Sequence, residues 1–152
     1  MTASNAKEEF PRMESQIATG ADARLILKLY DLRRETVLRK ARHWVIFEFK
    51  PTTAEEFIAV WRDFSTDHSA WLRQVITYWE MAASFVLHGA VNADMYLDSN
   101  GEGIVVYAKF QPLAEDIQAK TGMPFMRHTT AMIERFPAAK ERYQAILKYI
   151  QK

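Results

Sequence analysis

Chemistry in this chain would have to come from four histidines, one acidic turn, one basic stretch and one glutamate set among aromatic residues. A helical two-metal site needs Glu-x-x-His pairs, which project both ligands from one helix face. None of His43, His68, His88 and His128 has a Glu three residues before it, and no His-Glu-x-x-His pattern occurs. His43 and His68 are expected on helix surfaces or at a cap, and His88 and His128 in terminal turns, with no metal among them. The turn Asp98-Ser99-Asn100-Gly101-Glu102-Gly103 sets Asp, Asn, Glu and Gly where a calcium loop places its first ligands and its bend. Counted from Asp98, however, the position that must supply a bidentate carboxylate is Lys109. An ordinary Asx-type turn is the expectation.

Arg33, Arg34, Arg39, Lys40 and Arg42 make one stretch strongly basic. At about 100° per residue they point in separate directions rather than along one stripe, and Asp31 and Glu35 interrupt them. Nucleic acid is therefore not an expected partner. With only five glycines, the chain has no Gly-x-Ser-x-Gly elbow, phosphate-cradling loop or dinucleotide fingerprint. No catalytic residue and no cofactor is expected.

The remaining candidate is Glu80. Arg73, Thr77, Glu80 and Ser84 form a polar strip opposite the apolar face of Val75, Trp79, Ala82 and Val86. Packed on both sides, such a helix would bury Glu80, and a buried carboxylate needs charged or hydrogen-bonding partners. The expected donors are Arg33, Arg34 and Arg73. Two outcomes stay open: a polar pocket lined by Trp79 and Glu80 that binds a small ligand, or an ion pair that fixes helix register.

These residues need a scaffold, and composition supplies one. Of the 152 residues, 49% are apolar and none is cysteine, which allows a sizeable aromatic core but no disulfide, thiolate metal site or Cys nucleophile. The lack of cysteine fits the cytoplasm, and neither a secretory signal nor a membrane span is expected. The net charge of +1 conceals blocks of −1 for residues 1–21, +4 for 22–50, −6 for 51–102 and +4 for 103–152. Attraction between those blocks inside the domain is favoured over an external polyanion.

Periodicity predicts an all-α bundle of about five or six helices in one domain over 22–152, behind a flexible arm over 1–21. The first helix is expected to run from a cap at Asp22 to about Phe49, ended by Lys50-Pro51. Thr52 or Thr53 with Glu55 and Glu56 suggests a capping box for the second. Ser65, Thr66 and Asp67 open a third that Gly89 closes. A short turn at 94–97 follows. Residues 104–110 are ambiguous, because Ile104, Val105 and Val106 favour a strand for which no partner is visible; a helix is the reading taken. Pro112, Pro124 and Pro137 are each expected to open a further helix.

The run Tyr78-Trp79-Glu80-Met81-Ala82-Ala83-Ser84-Phe85-Val86-Leu87-His88-Gly89-Ala90-Val91-Asn92 gives an aromatic, a Glu with small residues, then a Gly-hydrophobic turn into a short acidic helix. Farther on, Phe110-Gln111-Pro112-Leu113 with Ile117, then Lys120-Thr121-Gly122-Met123-Pro124, gives a Pro-started helix ended by Gly-x-Pro. Over about residues 70–135 these resemble a bacterial all-helical family of unknown function, DUF4760. The resemblance implies a helical bundle and no established activity, and it carries over no catalytic residue. The N-terminal membrane helix of some relatives has no counterpart in this sequence, so membrane attachment is not expected. The functional expectation is a non-catalytic interaction or scaffold domain, with a homodimer or another protein as partner. Alternatives are a small-ligand sensor and an enzyme without a recognisable motif.

Overall fold

The computed structural model describes residues 17–150. The rest of the expected arm, residues 1–16, lies outside them. Among the described residues the fold is all-α and contains no strand. Its helices outnumber the five or six expected: the long first helix is divided, and the short turn expected at 94–97 is a helix over Ala93–Ser99.

Helix α1 (Gly20–Arg33) starts three residues earlier than a cap at Asp22 implies. Thr19 is its N-cap, and Asp22 sits at the third helical position, where its carboxylate accepts the Thr19 N–H at 2.7 Å. The chain then turns at Glu35, whose carboxylate accepts the N–H groups of Val37 and Leu38 at 3.0 and 2.9 Å and so opens α2 (Thr36–His43). A helix continuous from Asp22 to Phe49 is thus corrected. After α2 the backbone widens into a π-turn over Trp44–Glu48. Lys109 donates to the carbonyls of Val45 and Ile46 in that turn, at 2.6 and 3.1 Å.

Helix α3 (Ala54–Arg62) is capped by Thr53, while Glu56 reaches back to the Thr52 N–H at 2.7 Å, as the Thr/Glu spacing implies. Helix α4 (Asp67–Leu87), capped by Thr66, is the central element. It buries Leu72, Val75, Ile76, Tyr78, Trp79, Ala82, Ala83, Val86 and Leu87 against α2, α3 and the later helices. Gly89 closes it at φ 73°, a left-handed conformation that glycine adopts without a Cβ clash. A short α5 (Ala93–Ser99) follows, capped by Asn92.

Residues 102–110 form a helix, α6 (Glu102–Phe110). Its β-branched residues are needed for packing: Ile104 and Val106 are fully buried where α6 meets α4 and the last two helices. Gly103 lies so close to Trp79 that a Cβ there would stand 3.0 Å from the indole ring. Gln111–Leu113, containing Pro112, is a 3₁₀ turn into α7 (Ala114–Thr121), which Gly122 ends at φ 73°. Then come α8 (Arg127–Arg135), which starts three residues beyond Pro124, and α9 (Pro137–Ile150). The buried apolar side chains form one contiguous cluster from Leu29 to Ala139.

The candidate site around Glu80 and the groove beside it

Glu80 is an acceptor for a helix end. One carboxylate oxygen accepts the His128 N–H at 2.9 Å and stands 3.0 Å from His128 Nδ1; the other accepts the Thr129 N–H at 2.9 Å and its hydroxyl at 2.6 Å. A carboxylate acts here as an acceptor, so the contact suits the His128 tautomer that carries its hydrogen on Nδ1. These groups belong to the first turn of α8, whose N-cap is Met126 at φ 44°. Methionine has no side-chain oxygen to satisfy the free N–H groups of a helix start. Glu80 supplies that acceptor from α4, with its negative charge at the positive end of the helix dipole.

The expected pairing of Glu80 with an arginine is therefore corrected. Arg33 donates to Asn100 Oδ1 at a long 3.4 Å and lies 5.0 Å from the Tyr30 ring centre. Arg34 packs over the same ring at 5.3 Å, and Arg73 over Phe64 at 4.6 Å. Arg73 Nε also points to Ser69 Oγ at 3.4 Å. Sequence reasoning missed His128 and Thr129 as the partners of Glu80. Trp79 is 1% exposed, packed against Gly103 and edge-on to Tyr78, and its Nε1–H has no hydrogen-bond acceptor among the described residues. Of the five sequence-predicted residues, Trp79 and Glu80 share α4, Arg33 and Arg34 share the end of α1, and Arg73 lies two turns before Glu80.

The turn from Asp98 to Gly103 is clasped from three helices. Arg42 makes a two-pronged pair with Glu102 at 2.7 and 3.2 Å, Arg33 reaches Asn100, and Arg142 donates to the Leu97 carbonyl at 3.1 Å while packing against Gly101. Arg42–Glu102 joins the basic block over 22–50 to the acidic block over 51–102, and Lys120–Glu55, at 2.9 Å, joins the basic block over 103–152 to the same acidic block. The block pattern is thus used inside the fold at these two places. Of the other histidines, His68 stacks on Trp44 at 4.3 Å, His43 lies 5.1 Å from Phe47, and His88 ends α4. No group of three or more His, Asp and Glu suited to a metal occurs among the described residues.

Electrostatics follow the burial. Desolvation pushes the Tyr78 phenol up to about 12, against the opposing pull of Arg33 and Arg42, and raises Tyr96 as well. Lys109 is lowered to about 8, first by burial and then by the charge of Lys50. Hydrogen bonds from backbone N–H groups hold Asp22 and Glu35 below the usual carboxylate range.

An open groove of about 420 Å³ runs between the α1–α2 turn and α4, lined by Leu32, Glu35, Leu38, Gln74, Thr77, Tyr78 and Met81. Gln74, Thr77, Tyr78 and Met81 recur at three- and four-residue steps, so one stripe of α4 forms its floor. Leu32 and Met81 are 41% and 38% exposed. Among the described residues Glu35 is the one charged residue in the lining, and its carboxylate also opens α2.

No helix among the described residues is long and apolar enough to cross a membrane. No curated protein and no solved structure gives a significant match to the chain. The sequence profile of the domain of unknown function DUF4760 matches residues 18–136, from the residue before the cap of α1 to the residue that follows α8. On that match, which spans most of the sequence, the chain belongs to the DUF4760 family.

Proposed function

We propose that this chain is a non-catalytic protein-interaction domain whose docking face is the groove between the α1–α2 turn and α4. The observation that carries the reading is a division of labour among side chains. Glu80, Arg42 and Arg142 are bonded into the scaffold, whereas the groove exposes Leu32 and Met81 above the buried Leu38 and Tyr78, with neutral Gln74 and Thr77 beside them. Interface centres are depleted in charge and enriched in Met and Tyr, and a helix laid in an apolar groove is a recurrent recognition mode. The matching occupant is a helix with an apolar ridge and a cation placed to meet Glu35. A cytoplasmic setting fits a chain without cysteine.

Selection from a displayed library of amphipathic helices, run in parallel on the wild type and on Met81→Glu, tests the reading. Enrichment of helices carrying an apolar i, i+3, i+4 stripe and a Lys or Arg, lost on Met81→Glu, supports it. Equal recovery from both proteins contradicts it.

A small-ligand sensor near Trp79 and Glu80 is the second reading, favoured by the Trp79 Nε1–H, which lacks an acceptor among the described residues. Its test is a thermal-shift screen with small polar metabolites. Stabilisation of the wild type that disappears in Trp79→Phe would support it, and a flat screen would remove it.

A further inference from the structure

We infer that the occupant of the groove is the α1 end of a second copy of this chain, carrying Leu32 and Lys28, joined about a two-fold axis near Leu32; the inference rests on the docking reading above. The order of charge around Leu32 carries it. Lys28, exposed, precedes Leu32 by four residues, which puts it one turn back on the same face of α1. Glu35 follows Leu32 by three residues and lines the groove.

A two-fold axis perpendicular to α1 reverses its direction, so a residue before the axis on one copy meets a residue after it on the other. Around Leu32 that operation sets Lys28 of each copy against Glu35 of its partner, giving two opposite-charge pairs from one surface. It also brings the exposed Leu32 and Met81 of both copies together, apolar on apolar, beside the uncharged Gln74 and Thr77. Arg34 is drawn over the Tyr30 ring, and Arg39 is folded back onto the Arg34 carbonyl at 3.2 Å. A self-complementary patch of this kind closes into a dimer rather than extending into a filament.

The absence of cysteine makes the test direct, because Leu32→Cys gives one thiol per chain. Light scattering on the wild type and mild oxidation of Leu32→Cys are compared with Met123→Cys, whose side chain is exposed elsewhere on the molecule. The expected result is a wild-type dimer, disulfide-linked dimer from Cys at 32 well above that from Cys at 123, and dimerisation weakened about tenfold by Lys28→Glu. Wild type that stays monomeric at every concentration, with equal disulfide yields from the two variants, overturns the inference. A monomer whose groove still selects helices in a Met81-dependent way overturns the second copy alone. A monomer with no such selection removes the docking reading too.

Discussion

Glu80 and Thr129, 49 residues apart in sequence, are joined twice: one carboxylate oxygen accepts both the backbone N–H of Thr129 at 2.9 Å and its hydroxyl at 2.6 Å. Because the other oxygen takes the His128 N–H, the start of α8 depends on a residue of α4 rather than on its own cap. Glu80→Ala leaves those N–H groups without an acceptor and is expected to lower stability by about 2–3 kcal/mol. Glu80→Gln keeps one acceptor but turns an amide donor toward the other N–H, and should cost about 1–2 kcal/mol. Urea unfolding of both variants checks this, and a loss below about 0.5 kcal/mol for Glu80→Ala would mean that water replaces the carboxylate at little cost.

Trp79 and Gly103 form one packing unit. Trp79→Ala should destabilise by about 3–5 kcal/mol, the range for emptying a large buried aromatic site. Gly103→Ala is the sharper test, because helix propensity alone would favour Ala by about 1 kcal/mol. With the indole 3.0 Å from the new methyl and fully enclosed, overpacking should prevail, giving a net loss of about 1–2 kcal/mol by thermal or urea unfolding.

Much of this architecture is legible in the sequence, for identifiable reasons. Thr53 and Thr66 as caps, and Gly89 and Gly122 as left-handed stops, follow from backbone chemistry that acts within a few residues. The break at Glu35 is hidden, because glutamate is an ordinary helix former and no Gly or Pro marks the turn. The sequence points Glu80 to arginine partners because charged side chains are the donors it displays most plainly, whereas the partners here include two backbone N–H groups. A signal did exist: Met126 cannot cap a helix, so a start at Arg127 requires an acceptor from elsewhere. Placing that start at Pro124 concealed it.

Lys109 sets a pH dependence on the alkaline side. Its folded pKa of about 8 lies below the 10.5 of an unperturbed lysine, so between those values the unfolded chain binds more protons than the folded one. Stability should therefore rise with pH from about 8 toward 10. Above about 10 the sign reverses, since Tyr78 keeps its proton up to about 12 when folded and loses it near 10 when unfolded. Unfolding midpoints measured across this range should rise and then fall, and Lys109→Met should flatten the rise alone.

On the acid side Asp22 and Glu35 act in the opposite sense. Both carboxyls are held below their unfolded values by backbone N–H groups, so the stability they add is present above the ordinary carboxylate range and lost as pH falls through their folded values. Asp22→Asn and Glu35→Gln should each make the acid limb of the stability profile shallower. An unchanged limb in both would show that these two caps do not control acid unfolding.

The central claim is that the polar centre at Glu80 serves the fold while the apolar groove serves binding. Native mass spectrometry of the purified chain, wild type against Met81→Glu, addresses both halves at once. The account predicts two chains per particle with no added mass, falling to one chain in the variant. A single chain carrying a bound small molecule, unaffected by Met81→Glu and lost in Trp79→Phe, would contradict it and move the function to the Trp79 and Glu80 region.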